Sequence, residues 1–120
     1  MLTPDFAQHF ASEWIAAWNA HDLPRVLSHY DDDFEMASPR IIEIAGEPTG
    51  MLRGKERVGA YWTKALGLVP DLHFELLGVF VGATGVAIHY LNQSGRRAVE
   101  TFEFSPSGVV VRAAAHYAPS

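Results

Sequence analysis

The sequence predicts an α+β fold in which three N-terminal helices pack on one face of a curved, mainly antiparallel sheet. Up to Pro70 the apolar residues recur at spacings of three and four, and beyond it the period is two and stays two. The period-two segments are joined by "ATG", "SG" and "SPSG", connections so short that consecutive strands must be antiparallel neighbours. Helices first and a meander afterwards is the arrangement of a sheet covered by helices on one side.

Residues 4–19 form the clearest helix. Thr3 caps it, and Pro4 sits where the first-turn N–H has no partner in any case. Phe6, Ala7, Phe10, Ala11, Trp14, Ala17 and Trp18 make one apolar stripe, with Gln8, Ser12 and Asn19 off it. Asp22 caps a shorter helix running to about His29, with Pro24 in its first turn. "DDDFEMAS" then reads as a strand. The third helix runs from about Lys55 to Leu66, with Val58, Trp62, Ala65, Leu66 and Val69 inward and Pro70 closing it. Four strands follow: "LHFELLGVFVG", "GVAIHYLNQ", "RRAVETFEF" and "GVVVRAAAHYA". The 120 residues are expected to form a single domain, 1–120, since the chain suffices for one sizeable core but hardly two and shows no repeat or linker.

Composition narrows the function. A hydrophobic content of 48% with 19% charged residues reads as globular, and a formal charge of −5 argues against nucleic acid or an anionic membrane as partner. With no cysteine there are no disulfides, no thiolate catalysis and no Cys-based zinc site. The start "MLTPDFAQHF" lacks a basic region followed by an apolar run, and no segment approaches 18 apolar residues, so a cytoplasmic protein is expected. The six histidines show no metal-binding spacing, and no cofactor or metal is expected. "DDD" at 31–33 lacks the spaced ligands of a calcium loop, and "RGKE" at 53–56 is a helix start, not a phosphate cradle.

Strand parity sorts the two faces of the sheet. Leu72, Phe74 and Leu76, then Val86, Ile88, Tyr90 and Asn92, then Val111, Ala113, Ala115 and Tyr117 fall inside, while His73, His89, Arg112 and His116 fall outside. A bulge near Gly78 or Gly82 would reverse the assignments beyond it. In "AVETFEF" the inner side holds Ala98, Phe102 and Phe104, and with them Glu100. A carboxylate among phenylalanines is costly when charged, so burial raises its pKa or forces it to find donors. The small residues 113–115 leave space in front of it. The expectation is a ligand cavity of the usual ~300–1,000 Å³, walled by Trp14, Trp18, Phe34, Met36, Tyr90, Phe102 and Tyr117. The competing reading is that these side chains simply fill the core.

The stretches "AAWNAHDLPRVLSHYDDDFEM" and "LRGKERVGAYW", with the Gly-centred hairpin in "FEFSPSGVVVRAAAHY", resemble the nuclear transport factor 2-like, SnoaL-like superfamily over nearly the whole chain. The resemblance implies that superfamily's cone fold. It leaves the activity open, because the superfamily includes isomerases, cyclases, dehydratases, epoxide hydrolases and non-enzymes. Counting without gaps from Tyr30 to Pro39 places the base aspartate of ketosteroid isomerases at Ser38 and their oxyanion-hole tyrosine at Trp14. Their second oxyanion-hole acid falls at Glu100. Serine cannot serve as that base, which argues against steroid isomerisation. The relay of limonene-type epoxide hydrolases needs an arginine where Ala98 stands, so Arg97 or Arg40 would have to replace it from elsewhere. Scytalone-dehydratase-like chemistry wants inward histidines, whereas His89 and His116 point outward. SnoaL-type polyketide cyclases use an acid–base carboxylate in an apolar pocket, a requirement that Glu100 meets.

The candidate catalytic set is therefore Glu100 with Tyr90 and Tyr117, and the candidate ligand-binding set is Trp14, Trp18, Phe34, Met36, Ser38, Asn92, Phe102 and Ala115. Each has a structural alternative: Glu100 as a hydrogen-bonded core acid, the aromatics as core, Ser38 and Asn92 as turn residues. The segment 40–53, containing "RIIEIAGEPTGML", is longer than the matching turn of the isomerases. It reads as an extra strand "RIIEI" with a tip "AGEPTG", covering a sheet edge in preference to closing the cavity mouth. Relatives commonly dimerise through the outer sheet face, and a homodimer is expected here. Three functions remain: an enzyme acting through Glu100 on a small, cyclic or carbonyl-bearing molecule, a non-catalytic binder of a small apolar ligand, and an interaction module with a filled cone.

Overall fold

The computed structural model describes residues 2–119. Helix α1 (Pro4–Asn19) starts at Thr3, whose hydroxyl accepts from the Phe6 N–H at 3.1 Å. The predicted stripe is the buried one, with Ala7, Phe10, Ala11, Trp14, Ala17 and Trp18 turned to the core. Helix α2 (Leu23–Leu27) is capped by Asp22 and ends earlier than the sequence suggested. Its Arg25 grips both carboxylate oxygens of Glu13, at 2.6 and 2.8 Å, and so fastens α2 to α1.

Strand β1 (Tyr30–Ala37) leads into a correction. "RIIEI" is not a strand but most of a short helix, α3 (Pro39–Ala45). The Ser38 hydroxyl caps it by accepting from the Arg40 N–H at 3.2 Å, Pro39 opens it, and Gly46 closes it at φ 72°. Start and stop signals of this kind outweigh the β-propensity of three isoleucines. Ile41 turns into the core, Ile44 is half-buried and Ile42 faces out. Edge cover falls to the three residues of β2 (Met51–Arg53), which pair antiparallel with β1. Helix α4 (Lys55–Leu68) buries Val58, Tyr61 and Trp62, while Ala65, Leu66 and Val69 are only half-buried. Four helices thus cover the sheet where three were expected.

The remaining strands are β3 (Glu75–Val81), β4 (Gly85–Leu91), β5 (Arg97–Phe104) and β6 (Val110–Tyr117). The sheet order is β2-β1-β6-β5-β4-β3, antiparallel throughout except for the parallel pair β1–β6. Leu72 and Phe74 lie in the lead-in to β3 and not in the strand. The register shifts between Leu76 and Gly78, where a bulge was anticipated, and beyond it Phe80 faces outward. A second shift between Glu103 and Phe104 buries Val110 and leaves Val111, expected inside, half-exposed. On β4 and β5 the inner set is as predicted, with Val86, Ile88, Tyr90, Ala98, Glu100 and Phe102 buried. At the head of β4 only glycine fits: a Cβ on Gly85 would lie 2.5 Å from the Phe102 carbonyl oxygen. Among the described residues no helix is long and apolar enough to cross a membrane.

Candidate functional site

The inner face of β4, β5 and β6, roofed by α1, α3 and α4, encloses a cavity of about 80 Å³. This is smaller than the several hundred Å³ expected from the sequence. It admits the end of a small molecule, and half-buried residues of its lining include Arg40 and Ile44 of α3. Within 40–53, α3 contributes Arg40 and Ile44 to the cavity lining, and β2 covers the sheet edge.

Glu100 lies in the cavity lining and is only 5% exposed. Its cross-strand partners are Ile88 on one side and Ala115 on the other. Ala115 ends at its Cβ and so leaves open the space that a larger residue would take from the carboxyl. The hydrogen bond that the carboxyl accepts comes from the Tyr90 hydroxyl, at 3.2 Å to Oε1. Burial lifts the Glu100 pKa to about 7, against the smaller downward pull of that bond. Burial also raises the phenols of Tyr90, Tyr61 and Tyr117, and the Glu100 charge adds to the rise in each. At neutral pH these phenols are hydrogen-bond donors, while the carboxyl is divided between its two forms.

The aromatic wall is held in place from two directions. Trp14 donates Nε1–H to the Tyr30 hydroxyl at 2.9 Å, a buried bond joining α1 to β1. Asn19, off the apolar stripe and overlooked in the sequence, donates to the Phe74 carbonyl at 2.9 Å and accepts the Phe74 N–H at 2.7 Å. That clamp fixes Phe74 against Trp14, ring centres 5.7 Å apart, and against Tyr90, 4.4 Å apart. Trp18 meets Trp62 edge to face at 5.1 Å, and its own Nε1 is buried with no hydrogen-bond partner among the described residues.

Most of the sequence candidates come together here. Trp14, Trp18, Met36, Ser38, Tyr90, Asn92, Glu100, Ala115 and Tyr117 all line the cavity. Phe34 and Phe102 do not. Phe34 is enclosed by Tyr30 and Trp62, and Phe102 by Phe10 and Trp14, so both are core residues. Asn92 also has a turn role, its Oδ1 accepting from the Ser94 and Arg96 N–H groups at 3.0 Å. Tyr61 and Arg40 were missed as lining residues. Tyr61 follows Val58 at helical spacing and so was legible as an inward residue. Arg40 was hidden by the reading of its segment as a strand. Its guanidinium sits over the Tyr117 ring, 5.3 Å from the centroid, while Arg97 is exposed on the sheet. Among the described residues no group of His, Asp and Glu gathers as a metal site.

A family model for the SnoaL-like domain matches residues 11–118. The chain belongs to the SnoaL-like family. Its fold is that of the nuclear transport factor 2-like superfamily. It is 60% identical to a SnoaL-like protein of unknown function from Burkholderia thailandensis, over 97% of both chains and with a TM-score of 0.93. A nuclear transport factor 2-like protein of unknown function from Cytophaga hutchinsonii shares 17% identity over 99% of this chain and 96% of its own, with a TM-score of 0.70. TerC, co-crystallised with polyporic acid, shares 12% identity over 94% of this chain and 92% of its own, with a TM-score of 0.77. At such identities the likeness is one of fold. Among curated proteins none matches the chain.

Proposed function

We propose that this SnoaL-like protein binds a small, cyclic or carbonyl-bearing molecule with its apolar end in the cavity, and that Glu100 exchanges a proton with it. The observation that carries this reading is the position of Glu100: buried in the cavity lining, beside the gap left by Ala115, with a carboxyl that titrates near neutrality. A carboxyl in that range takes a proton from a carbon or oxygen acid and returns it at a neighbouring atom, the step shared by isomerases, cyclases and dehydratases. Tyr90 steadies the carboxyl, and Tyr117 presents a phenol O–H to a ligand oxygen. A metabolite extract incubated with the protein should show one compound depleted and one of related mass formed, and Glu100→Gln should abolish this while still retaining the compound. Retention without conversion by the wild type would leave a non-catalytic binder, a reading that the small cavity also suits. Retention of nothing would defeat both.

We also infer that the outer sheet face pairs with a second copy of the chain. Phe80, 62% exposed, stands at the end of a cross-strand row that continues through Ala87, Thr101 and Ala114. A bulky residue beside a trough of small ones is self-complementary about a two-fold axis. Leu77 and Val99 add exposed apolar surface around it.

A further inference from the structure

Among the described residues Arg25, Arg53 and Arg112 each meet a carboxylate (Glu13, Glu35, and Glu35 with Glu103), while Arg40, Arg57, Arg96 and Arg97 do not, and of these four Arg40 lines the cavity. Arg40 is half-buried. Apart from Glu100 it is the only charged residue in the lining among the described residues. The guanidinium is held over the Tyr117 ring at 5.3 Å, a ring that also carries Arg96 at 5.4 Å, and Ser38 of the lining stands two residues before Arg40 in the chain. A planar cation half-buried in the lining of an apolar cavity, with no acid of its own beside it, is arranged to meet an anionic oxygen bidentately.

We propose that the cavity takes a small organic acid, its anionic oxygen held at the rim by Arg40 beside Tyr117 and its apolar part directed toward Glu100. This rests on the small-molecule reading above and names the class of molecule. The enclosed volume agrees with it, since about 80 Å³ accommodates a short or flat apolar group and leaves the carboxylate at the rim.

The test is calorimetric titration with two matched pairs graded in size, propionate against propionamide and benzoate against benzamide. The working condition is about pH 6, where both acids are ionised and Glu100 is mostly protonated. At least one carboxylate should bind about tenfold or more tighter than its amide, as expected for a charge-assisted pair. Arg40→Met should erase that difference while leaving amide affinity within about twofold, and Arg40→Lys should restore part of it. Equal affinity for acid and amide in the wild type, or a preference that survives Arg40→Met, would overturn the anion assignment and leave the pocket standing. No binding by any of the four would overturn both.

Discussion

Tyr90 and Glu100 meet diagonally across β4 and β5, the tyrosine hydroxyl donating to Oε1 at 3.2 Å. Tyr90 stands opposite Ala98 and Glu100 opposite Ile88, so the bond spans one step of the pleat. A single phenol is a small set of donors for a buried carboxylate, which is why desolvation prevails and the carboxyl sits near pKa 7 instead of its ordinary 4.5.

Stability should therefore fall with rising pH across a defined window. Between about pH 4.5 and 7 the folded chain keeps a proton on Glu100 that the unfolded chain has already released. The contribution is complete below the lower value and gone above the upper one, a difference of about 3 kcal/mol. Glu100→Gln removes the titration. It should match the wild type near pH 5 and exceed its stability near pH 8, by urea denaturation. The same slope in both proteins would show that Glu100 has the same pKa in the fold as in the unfolded chain. Glu13, lowered to about 2 chiefly by its bonds to Arg25, acts with the opposite sign and below this window.

Ala115 controls access to the carboxyl. Ala115→Leu adds three carbons to the space beside Glu100, where the cavity receives them without forcing the core apart. Stability should fall by no more than about 1–3 kcal/mol, the range for added core methylenes. Ligand retention in the extract experiment should nevertheless be lost. A variant that folds as well and binds as well as the wild type would place the ligand elsewhere.

How far the sequence disclosed these features follows from which interactions are local. The stripe of α1 and the alternation of β4 and β5 are periodic, and each residue's side follows from its neighbours, so Trp14, Tyr90 and Glu100 were placed correctly. The shift at Glu103/Phe104 exchanges the sides of Val110 and Val111 because the extra residue is set by pairing with β5, which no pattern within β6 reveals. Phe34 and Phe102 share the parity of lining residues, yet neighbouring rings enclose them. Parity gives the face and not the depth along it. In "SPRIIEIAG" the cap and stop were legible, and three β-branched residues diverted attention from them. The loss of that helix concealed Arg40.

Trp14 offers a test of how the wall is anchored. Its Nε1–H and the Tyr30 hydroxyl satisfy each other in the core, and Glu100 is close enough for its charge to raise the Tyr30 phenol, after burial itself. Trp14→Phe deletes the donor and strands the hydroxyl, costing about 1–3 kcal/mol beyond the lost ring volume. Adding Tyr30→Phe should return about 1 kcal/mol of that, because two apolar partners leave nothing unsatisfied. Strict additivity of the two substitutions in chemical denaturation would mean that the bond contributes nothing to the fold.

The outer face makes its own prediction. A chain of 13.2 kDa that pairs through Phe80 should sediment at twice that mass. Phe80→Asp should convert it to the monomer without lowering stability, because the ring is 62% exposed and does not contribute to the core. The charge would enter a trough lined by Ala87, Thr101 and Ala114, where it meets only methyl groups and one hydroxyl, so desolvating it at an interface costs several kcal/mol. Arg112 does not offset this, being already engaged by Glu35 and Glu103. Sedimentation equilibrium of the two proteins decides the matter. A wild type that is monomeric, or a dimer indifferent to Phe80→Asp, would exclude this face as the contact.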